Sequence, residues 1–585
     1  MSSSSGGPGT PGVYSELAPW VLAGVLAAGA VALSVIWLGG TLGAAAAGAG
    51  WRPPPFSAAT LLRTLTGGTA RVWPGAPVAA VWSGIVATAM VATGAGAPLA
   101  MAIRRRWHTT PGLAGLRDLH ALTPKGAAKR ARGLRPSLAG VANPHPDETG
   151  MLLGEHENVE IRSSFEDVEV AFMAPRSGKT TAIAVPRALR APGPVLITSR
   201  KVDVYLVTAA PRRARGKLWV FDPQQIAYAP QDWWWDILAE ARTVEGARRL
   251  AGHFISASLS AQDRGNFWSL AAGNTLTALF HAAASSGGTV NEVLKWLGNP
   301  ADRTPTNLLH QAGADSLADH LQRTIRGAPE TRDGIYETAG QCAACLLDPT
   351  ITTWVLPDPD KKAFDPHTFV ASTDTLYLFS KKGAGSAAPL VAALTDAALQ
   401  AAIVRAERAG GRNDPPVLPI LDEAANICPI EDLPDLYSYL GSLGVPVTTI
   451  LQSYRQGVRV WGEPGMDSLW SAATVKILGA GLDDADFADR ISRLIGDHKV
   501  IEASVSHSSS GHSTSLSPRT ERIYQAADVR ALPKGTALLL LTGIRPVVIR
   551  LRPWMGEPYA TKLAAAAKRA QIQLTQRANT KGRSS

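Results

Sequence analysis

A short run of small and hydroxyl-bearing residues surrounds one lysine and has the composition of a phosphate-binding loop. The run consists of Ala174, Pro175, Arg176, Ser177, Gly178, Lys179, Thr180 and Thr181. In such a loop the backbone N–H groups and the positive end of the following helix point at the bound anion. Lys179 would reach the β- and γ-phosphates of a nucleotide, and the Thr180 hydroxyl would ligate Mg²⁺.

The residues on either side of this loop predict the elements that must hold it. Residues 168–172 form an apolar strand, and residues 181–190 can form a helix that Pro186 kinks or shortens. One position departs from the usual motif, because Met173 stands where a glycine six residues before the lysine is usual. The turn must therefore avoid a positive φ at Met173.

Two carboxylates far along the chain could complete a hydrolytic site. Asp422 and Glu423 end the apolar run that begins at Val417. A continuous apolar run is typical of a buried parallel strand, and ligand sites lie at the carboxyl ends of such strands. We therefore expect Asp422 to hold Mg²⁺ through water and Glu423 to polarise the attacking water. Taken alone, the pair could equally cap a helix after a core strand.

An amide follows the next predicted strand. Residues 445–451 are mainly apolar, and Gln452 ends the run. At the carboxyl end of a neighbouring parallel strand, this side chain would contact the γ-phosphate and report its hydrolysis. On position alone, Gln452 could also be an ordinary polar strand end.

Length and charge indicate the number of domains and the kind of partner. The chain has 585 residues, so two to four domains are expected, and a net charge of +10 suits a polyanionic partner or an anionic membrane surface. Only three cysteines occur, which excludes a disulfide framework. Cys342 and Cys345 form a single C-x-x-C pair with no second pair for zinc, so we interpret them as buried helix residues.

Two uncharged stretches near the start are long enough to cross a bilayer. They are predicted as transmembrane helices at about residues 19–42 and 78–103, since about 20 apolar residues suffice. The second stretch ends in Arg104, Arg105 and Arg106. The positive-inside rule places that side, and the bulk of the chain, in the cytoplasm. The alternative is that both are core helices of a soluble domain.

The rest of the chain alternates between strands and helices, with one interruption. Short buried strands at residues 194–199 and 217–221 follow the phosphate loop, which predicts a mainly parallel sheet with helices on both faces. Residues 244–347 show helical periodicity and no convincing strand. The alternation resumes at residues 375–380, so the helical block is predicted to be an all-α insertion in an α/β domain.

These motifs, in this order, resemble the TraG/TraD-type conjugative DNA-transfer ATPases, the type IV coupling proteins with a TraM-recognition domain. The matching segments are residues 174–180, 199–203, 220–223, 235–238, 421–427, 452–453 and 474–478. The resemblance implies a RecA-like P-loop NTPase core, ATP and Mg²⁺ as cofactors, and a homohexamer at the plasma membrane. It also implies recruitment of relaxase-bound single-stranded DNA to a type IV secretion channel. Glu423, Lys179 and Gln452 would be the catalytic residues.

The resemblance also suggests how the chain is divided. Residues 1–106 would form the membrane region and 107–160 a basic juxtamembrane linker. Residues 161–240 and 351–560 would form the nucleotide-binding domain, 241–350 the all-α insertion domain and 561–585 a basic tail. The Ser-rich residues 507–517 are expected to form an exposed loop.

A ring of subunits would need an arginine that acts across the subunit boundary. Relatives often carry it near the position of Ser442 here, so the candidates are Arg176, Arg490 and Arg493.

Three other functions stay open on the sequence. An FtsK-like translocase of double-stranded DNA shares the loop and the carboxylates, but it normally ends in a winged-helix reader, for which little chain follows Leu541. A catalytically weak membrane receptor or scaffold is favoured by Met173 and Ser442 and opposed by the intact Lys179 and Glu423. A motor that moves protein is compatible with every motif.

Overall fold

The protein is described by a computed structural model, which covers residues 14–107, 112–383, 385–508 and 511–581. The chain divides into two compact units, Met1–Thr110 and Pro111–Ser585. Each unit has its own packing and is described separately.

The first unit is a helical hairpin with two short helices in its connection. The helices are α1 (Tyr14–Ala44), α2 (Ala58–Leu65), α3 (Thr69–Val72) and α4 (Val78–Trp107). Glycines bring α1 and α4 into close contact: a Cβ built on Gly43 would lie 2.1 Å from the Ala80 carbonyl oxygen, and one on Gly84 would lie 2.3 Å from the Gly39 carbonyl oxygen. Small residues that allow backbones to approach are typical of helix pairs in membranes.

The apolar lengths of these helices only partly match the prediction of two spans. Residues Ala28–Ala49 are long and apolar enough to cross a bilayer, whereas the apolar part of α4 within the described residues, Val78–Thr93, is shorter. Residues Ala388–Arg408 also have the required length and hydropathy, but 78% of that window is buried inside the protein. That helix therefore has the packing of a core helix.

The second unit is built on a large twisted sheet, with two small accessory pairs of strands. The strands are β1 (Met151–His156), β2 (Val159–Ser163), β3 (Glu169–Phe172), β4 (Val195–Ser199), β5 (Leu218–Phe221), β6 (Trp233–Trp234), β7 (Lys362–Ala363), β8 (Thr375–Phe379), β9 (Leu418–Asp422), β10 (Thr448–Leu451), β11 (Val475–Gly479), β12 (Asp497–Ser508), β13 (Gly511–Arg522), β14 (Thr536–Leu541) and β15 (Ile544–Arg550).

Eleven of these strands form one mixed sheet, in the order β2-β1-β15-β14-β11-β3-β10-β9-β4-β8-β5. The pairs from β11 to β5 are parallel, and the pairs from β11 outward to β2 are antiparallel. The parallel strands are buried along their lengths, as expected for a sheet covered by helices on both faces. The sheet is therefore α/β in class, with an antiparallel extension.

Helices cover the sheet and form a block between β6 and β7. The helices of this unit are α5 (Pro124–Leu134), α6 (Val185–Arg190), α7 (Asp203–Arg213), α8 (Val244–Ser258), α9 (Ala261–Arg264), α10 (Phe267–Ser285), α11 (Val290–Leu297), α12 (Thr304–Gln311), α13 (Asp315–Arg326), α14 (Pro329–Cys342), α15 (Pro349–Thr352), α16 (Pro366–Val370), α17 (Ala388–Arg408), α18 (Ala424–Ile427), α19 (Leu433–Leu436), α20 (Tyr454–Ala472), α21 (Ala485–Ile495), α22 (Ala526–Arg530) and α23 (Ala560–Lys581).

The helices α8 to α15 follow one another without an intervening strand. α10 packs against α8, α12, α13 and α14, and α8 also packs against α17, which follows β8. The helical block thus has its own packed centre and contacts the sheet layer through α8.

Three segments differ from the expectations drawn from the sequence. β1 and β2 belong to the main sheet, although they lie mostly within the stretch 107–160 expected to be a linker. The expectation of a loop over residues 507–517 was wrong, because β12 and β13 pair there as a hairpin. The basic tail contains the helix α23, which packs against α7.

Candidate functional site

The order of four neighbouring strands sets the layout of the predicted site. β3, β10, β9 and β4 lie side by side and run parallel. The phosphate loop follows β3. Gln452, Glu423 and Arg200 are the residues directly after β10, β9 and β4. Because the carboxyl ends of parallel strands meet at one edge of a sheet, these groups converge there.

The loop after β3 turns sharply and leads directly into a helix. Its positive φ angles fall at Arg176 (64°) and Gly178 (97°), and not at Met173. The Ser177 hydroxyl donates to the Ala174 carbonyl oxygen at 2.6 Å, which holds the turn closed. A π-helical turn spans Thr180–Ala184 and continues into α6, so Pro186 lies near the start of the α-helical part. This loop has the shape that an anion-binding turn requires.

Met173 directly follows the last residue of β3 and is held between the neighbouring strands. Its N–H donates to the Leu451 carbonyl oxygen at 3.0 Å, and its side chain is fully buried. The next N–H, from Ala174, donates to the Ala480 carbonyl oxygen at 3.3 Å. The base of the loop is therefore fixed between β10 and β11 without a glycine at position 173.

Glu423 lies at the centre of the converging groups. Its Oε1 is 3.4 Å from Lys179 Nζ and accepts a hydrogen bond from Gln452 Nε2 at 3.1 Å. Its Oε2 accepts from Arg200 Nη1 at 3.0 Å and from Asn426 Nδ2 at 3.4 Å. The three residues predicted to be catalytic are thus in direct contact, and both carboxylate oxygens are engaged in this state.

Backbone and charge both distinguish Glu423 from an ordinary surface glutamate. Its φ of 56° lies in the left-handed region, which non-glycine residues rarely adopt outside functional or turn positions. Partial burial alone would raise its pKa, but the Lys179 ammonium and the Arg200 guanidinium outweigh that effect and lower the pKa below its ordinary value. The side chain is therefore a carboxylate at neutral pH.

Asp422 has the surroundings expected of a carboxylate that binds a cation. Burial raises the pKa of Asp422 to about 6, against the opposing effect of Lys179. Its Oδ1 is buried and has no hydrogen-bond partner among the residues that the structure describes. The Thr180 hydroxyl contacts the same carboxyl group. One carboxylate beside one hydroxyl fits Mg²⁺, which binds few protein ligands and keeps several waters or phosphate oxygens.

Arg200, Asn426 and Gln456 were not assigned roles from the sequence. Arg200 and Asn426 contact Glu423 directly, and Gln456 Oε1 accepts from the Gln452 N–H at 3.1 Å. Arg200 follows a buried parallel strand, as Glu423 and Gln452 do, so the same rule could have found it. Asn426 and Gln456 lie one helical turn beyond their partners, a spacing that a search of strand ends overlooks.

The candidate arginines occupy different surroundings. Arg176 is exposed on the loop. Arg490 forms an ion pair with Asp467 at 2.7 Å, and Arg493 forms one with Asp489 at 3.0 Å. Within this single chain none of the three contacts Glu423.

Known proteins resemble this chain in the region that carries the site. Residues 416–534, which include Asp422, Glu423 and Gln452, match the family model described as the TraM recognition site of TraD and TraG. Conjugal transfer protein TraG of Agrobacterium fabrum (strain C58 / ATCC 33970) is 24% identical over 369 residues. The region that holds the candidate site is therefore similar to proteins of the TraG/TraD type. The match to TraG spans 60% of this chain and only 54% of the relative.

Solved structures of bacterial conjugative coupling proteins share the fold of this chain. Unbound TrwBdeltaN70 superposes with a TM-score of 0.52 at 18% identity, covering 68% of this chain and 88% of that chain. TrwB in complex with ADP and Mg²⁺ superposes with a TM-score of 0.50 at 16% identity, again over 68% and 88% of the two chains. The sheet unit therefore has the fold of these coupling proteins.

Proposed function

We propose that this protein is a membrane-anchored ATPase that recruits relaxase-bound single-stranded DNA to a type IV secretion channel and drives its transfer by hydrolysing ATP. The observation that carries the proposal is the contact of Glu423 with both Lys179 and Gln452 at the edge of the sheet where the phosphate loop begins. Similarity to TraG and to the family model of the TraM recognition site supports the substrate class and the channel partner.

The roles of the individual side chains follow from these contacts. The phosphate loop, residues 174–181, holds the nucleotide through its N–H groups and Lys179. When the β- and γ-phosphates arrive, Lys179 exchanges its partner Glu423 for the phosphate oxygens, which carry more charge. Glu423 Oε1 is then free to accept a hydrogen bond from the attacking water. Phosphoryl transfer needs little beyond such positioning and charge stabilisation.

The metal site in this proposal consists of Asp422 and Thr180. Bound Mg²⁺ supplies positive charge that neutralises the phosphate oxygens during transfer. Asp422, whose Oδ1 is otherwise buried without a partner among the described residues, would hold the ion through water, and the Thr180 hydroxyl would bind it directly.

Gln452 links the nucleotide to the rest of the molecule. Its side-chain amide touches Glu423, and its backbone N–H is held by Gln456 at the start of α20. Departure of the γ-phosphate changes what this amide can bond to. Because Gln452 is bonded to Gln456, this change alters the hydrogen bonds at the start of α20. Hydrolysis of ATP would in this way move α20.

The assembly that we propose is a homohexamer in the plasma membrane. α1 and α4 would form two transmembrane helices, supported by the apolar stretch Ala28–Ala49 and by the glycine contacts between the helices. The basic residues near the end of α4, Arg104, Arg105 and Arg106, support a cytoplasmic location for the sheet unit. An arginine of a neighbouring subunit would stabilise the transferring phosphate.

Phosphate release by the full-length protein in detergent, with Mg²⁺ and ATP, tests the proposal. We expect Lys179→Ala and Glu423→Gln each to lower turnover by at least about 100-fold, because each removes charge or water positioning at the reacting phosphate. Glu423→Gln should still bind a fluorescent ATP analogue, since its carboxylate does not hold the phosphates.

Glu330→Gln is a matched control, because it makes the same change at an exposed residue. Glu330 lies at the start of α14, far along the chain from the residues of the candidate site. Native turnover in either active-site variant would contradict the proposed mechanism. An increase in the rate of phosphate release by the native protein when circular single-stranded DNA is added supports the proposed substrate. An increase with duplex DNA alone would point to a duplex translocase instead.

A further inference from the structure

A second cavity lies beside the nucleotide site, between the helical block and the sheet layer. Its volume is about 650 Å³. One wall is formed by the end of α8 with residues 256–260 and by α14 with Thr338 and Gln341. The other wall is formed by the segment after β8 and by the starts of α18 and α20. The cavity is large enough for a ligand, since ligand pockets measure roughly 300–1,000 Å³.

The charge of this cavity is positive and uncompensated. Its charged lining residues are Lys382 and Arg459, and no carboxylate is among the lining residues that the structure describes. Both cations are exposed, and neither forms an ion pair within the described part of the chain. The other polar lining residues carry hydroxyl or amide groups. Arginine, lysine, hydroxyl and amide side chains are the groups that proteins use to contact the phosphates of nucleic acids.

Two residues of the cavity wall touch the proposed catalytic residues. Asn426 donates to Glu423 Oε2 at 3.4 Å. Gln456 accepts from the Gln452 N–H at 3.1 Å and donates to Gln452 Oε1 at 3.5 Å. A ligand that displaces either amide therefore alters the hydrogen bonds of Glu423 or Gln452.

We propose that this cavity binds the sugar-phosphate backbone of a single nucleic acid strand, with Arg459 and Lys382 on its phosphates. The inference rests on the proposed function and assigns it a contact site. The cavity suits a short stretch of flexible strand, whereas a duplex would be too wide, since its major groove alone measures about 12 Å. Strand binding acts on Asn426 and Gln456, so it changes the rate of hydrolysis at the neighbouring site.

Binding of a fluorescein-labelled oligo-dT to the full-length protein tests the site. The probe should exceed the roughly 4–16 nucleotides that one binding fold covers. We expect the double variant Lys382→Gln with Arg459→Gln to bind it at least about tenfold more weakly. The slope of log affinity against log salt should also fall by about 0.7 for each lost phosphate contact. Affinity for a fluorescent ATP analogue and basal turnover should stay at the native level.

The matched control is Arg303→Gln with Lys534→Gln, which removes the same charges from two exposed residues outside the cavity. The control should bind the oligonucleotide as the native protein does. Equal affinity of the cavity variant and the native protein would overturn the inference while leaving the proposed ATPase intact. Failure of the native protein itself to bind the oligonucleotide would instead count against the proposed function.

A photo-crosslinking side chain at Gln341 provides a second measurement that does not depend on loss of charge. Gln341 is exposed and lines the cavity. Crosslinking to labelled oligo-dT from this position, and not from position 303, supports the inference. Competition by polyglutamate as effective as that by unlabelled oligo-dT would show that the cavity selects acidic peptide and would overturn the assignment to nucleic acid.

Discussion

The side chain of Met173 occupies the space beside Gly479 that any larger residue at position 479 would need. A Cβ built on Gly479 would lie 2.7 Å from both Cγ and Cε of Met173. Met173 directly follows β3, and Gly479 ends β11, the parallel neighbour of β3. The methionine that replaces the usual first glycine of the phosphate loop is thus accommodated by a glycine on the adjacent strand.

This pairing predicts that restoring the usual motif harms the protein. Met173→Gly should destabilise it by about 2–5 kcal/mol, because a fully buried side chain is lost and a cavity remains. Gly479→Ala should cost about 1–3 kcal/mol through overpacking against Met173. Thermal unfolding of the detergent-solubilised protein measures both changes.

Gly340→Ala serves as the control, because a Cβ at Gly340 in α14 would meet no atom within 4 Å. The double variant Met173→Ala with Gly479→Ala should lose less stability than the separate losses of Met173→Ala and Gly479→Ala add up to. The reason is that the methionine no longer obstructs the new methyl group. Strictly additive effects would show that the two residues do not share this space.

The sequence alone predicts those groups around Glu423 that follow a buried strand. Lys179, Asp422 and Gln452 each follow a buried apolar run, and carboxyl ends of parallel strands share one sheet edge. The position of Arg200 opposite Gln452 could not be predicted, because it depends on β9 lying between β10 and β4. Strand order is set by packing across the whole sheet, and no local pattern encodes it.

The antiparallel strands β1, β2, β12 and β13 were missed for a different reason. β12 and β13 contain many serines and histidines and lack the alternation of apolar and polar residues that identifies a half-buried strand. β1 and β2 lie in a basic region rich in turn residues, where their short apolar runs resemble linker sequence. Their place at the edge of the sheet is determined by the pairing of β1 with β15, which lies 395 residues away along the chain.

Replacing Gln452 by alanine should separate binding from hydrolysis. We expect turnover to fall by about 100-fold, because Glu423 loses a hydrogen bond that fixes its orientation. Affinity for a fluorescent ATP analogue should be unchanged, since the Gln452 side chain contacts Glu423 and Gln456 and no residue of the phosphate loop.

Gln311→Ala, a change of the same size on the exposed end of α12, should alter neither quantity. A Gln452 variant that loses nucleotide affinity and turnover in equal measure would assign this residue to binding and would contradict the role proposed here.

A buried ion pair joins the first residue of β3 to α6, and removing only one of its two partners should destabilise the protein more than removing both. Arg187 Nη1 lies 2.5 Å from Glu169 Oε2, and the two side chains are 1% and 0% exposed. Arg187→Met should destabilise the protein by about 3–5 kcal/mol, because it leaves a buried carboxylate without its cation. Arg187→Met with Glu169→Gln should recover part of this loss, since the amide keeps partners in Ser163 and Thr448 and carries no charge.

Thermal unfolding midpoints of the two variants and of Arg303→Met, an exposed control, give the comparison. A double variant less stable than Arg187→Met would mean that Glu169 stabilises the fold through its charge even without the arginine.

Two glycines of α1 should respond in opposite ways to the same substitution. A Cβ on Gly43 would lie 2.1 Å from the Ala80 carbonyl oxygen of α4, whereas a Cβ on Gly29 would meet no atom within 4 Å. Gly29→Ala should therefore stabilise α1 slightly, by up to about 1 kcal/mol, through helix propensity alone. Gly43→Ala should instead force the two helices apart.

Separation of α1 and α4 also loosens the connection between them, because Trp73 in that connection packs over Gly40 and donates to the Thr41 hydroxyl at 3.2 Å. We expect trypsin to cut after Arg63 or Arg71 at least several times faster in Gly43→Ala than in the native full-length protein in detergent. Gly29→Ala should be cut at the native rate. Equal cleavage rates in the two variants would show that close backbone contact at Gly43 does not hold the hairpin together.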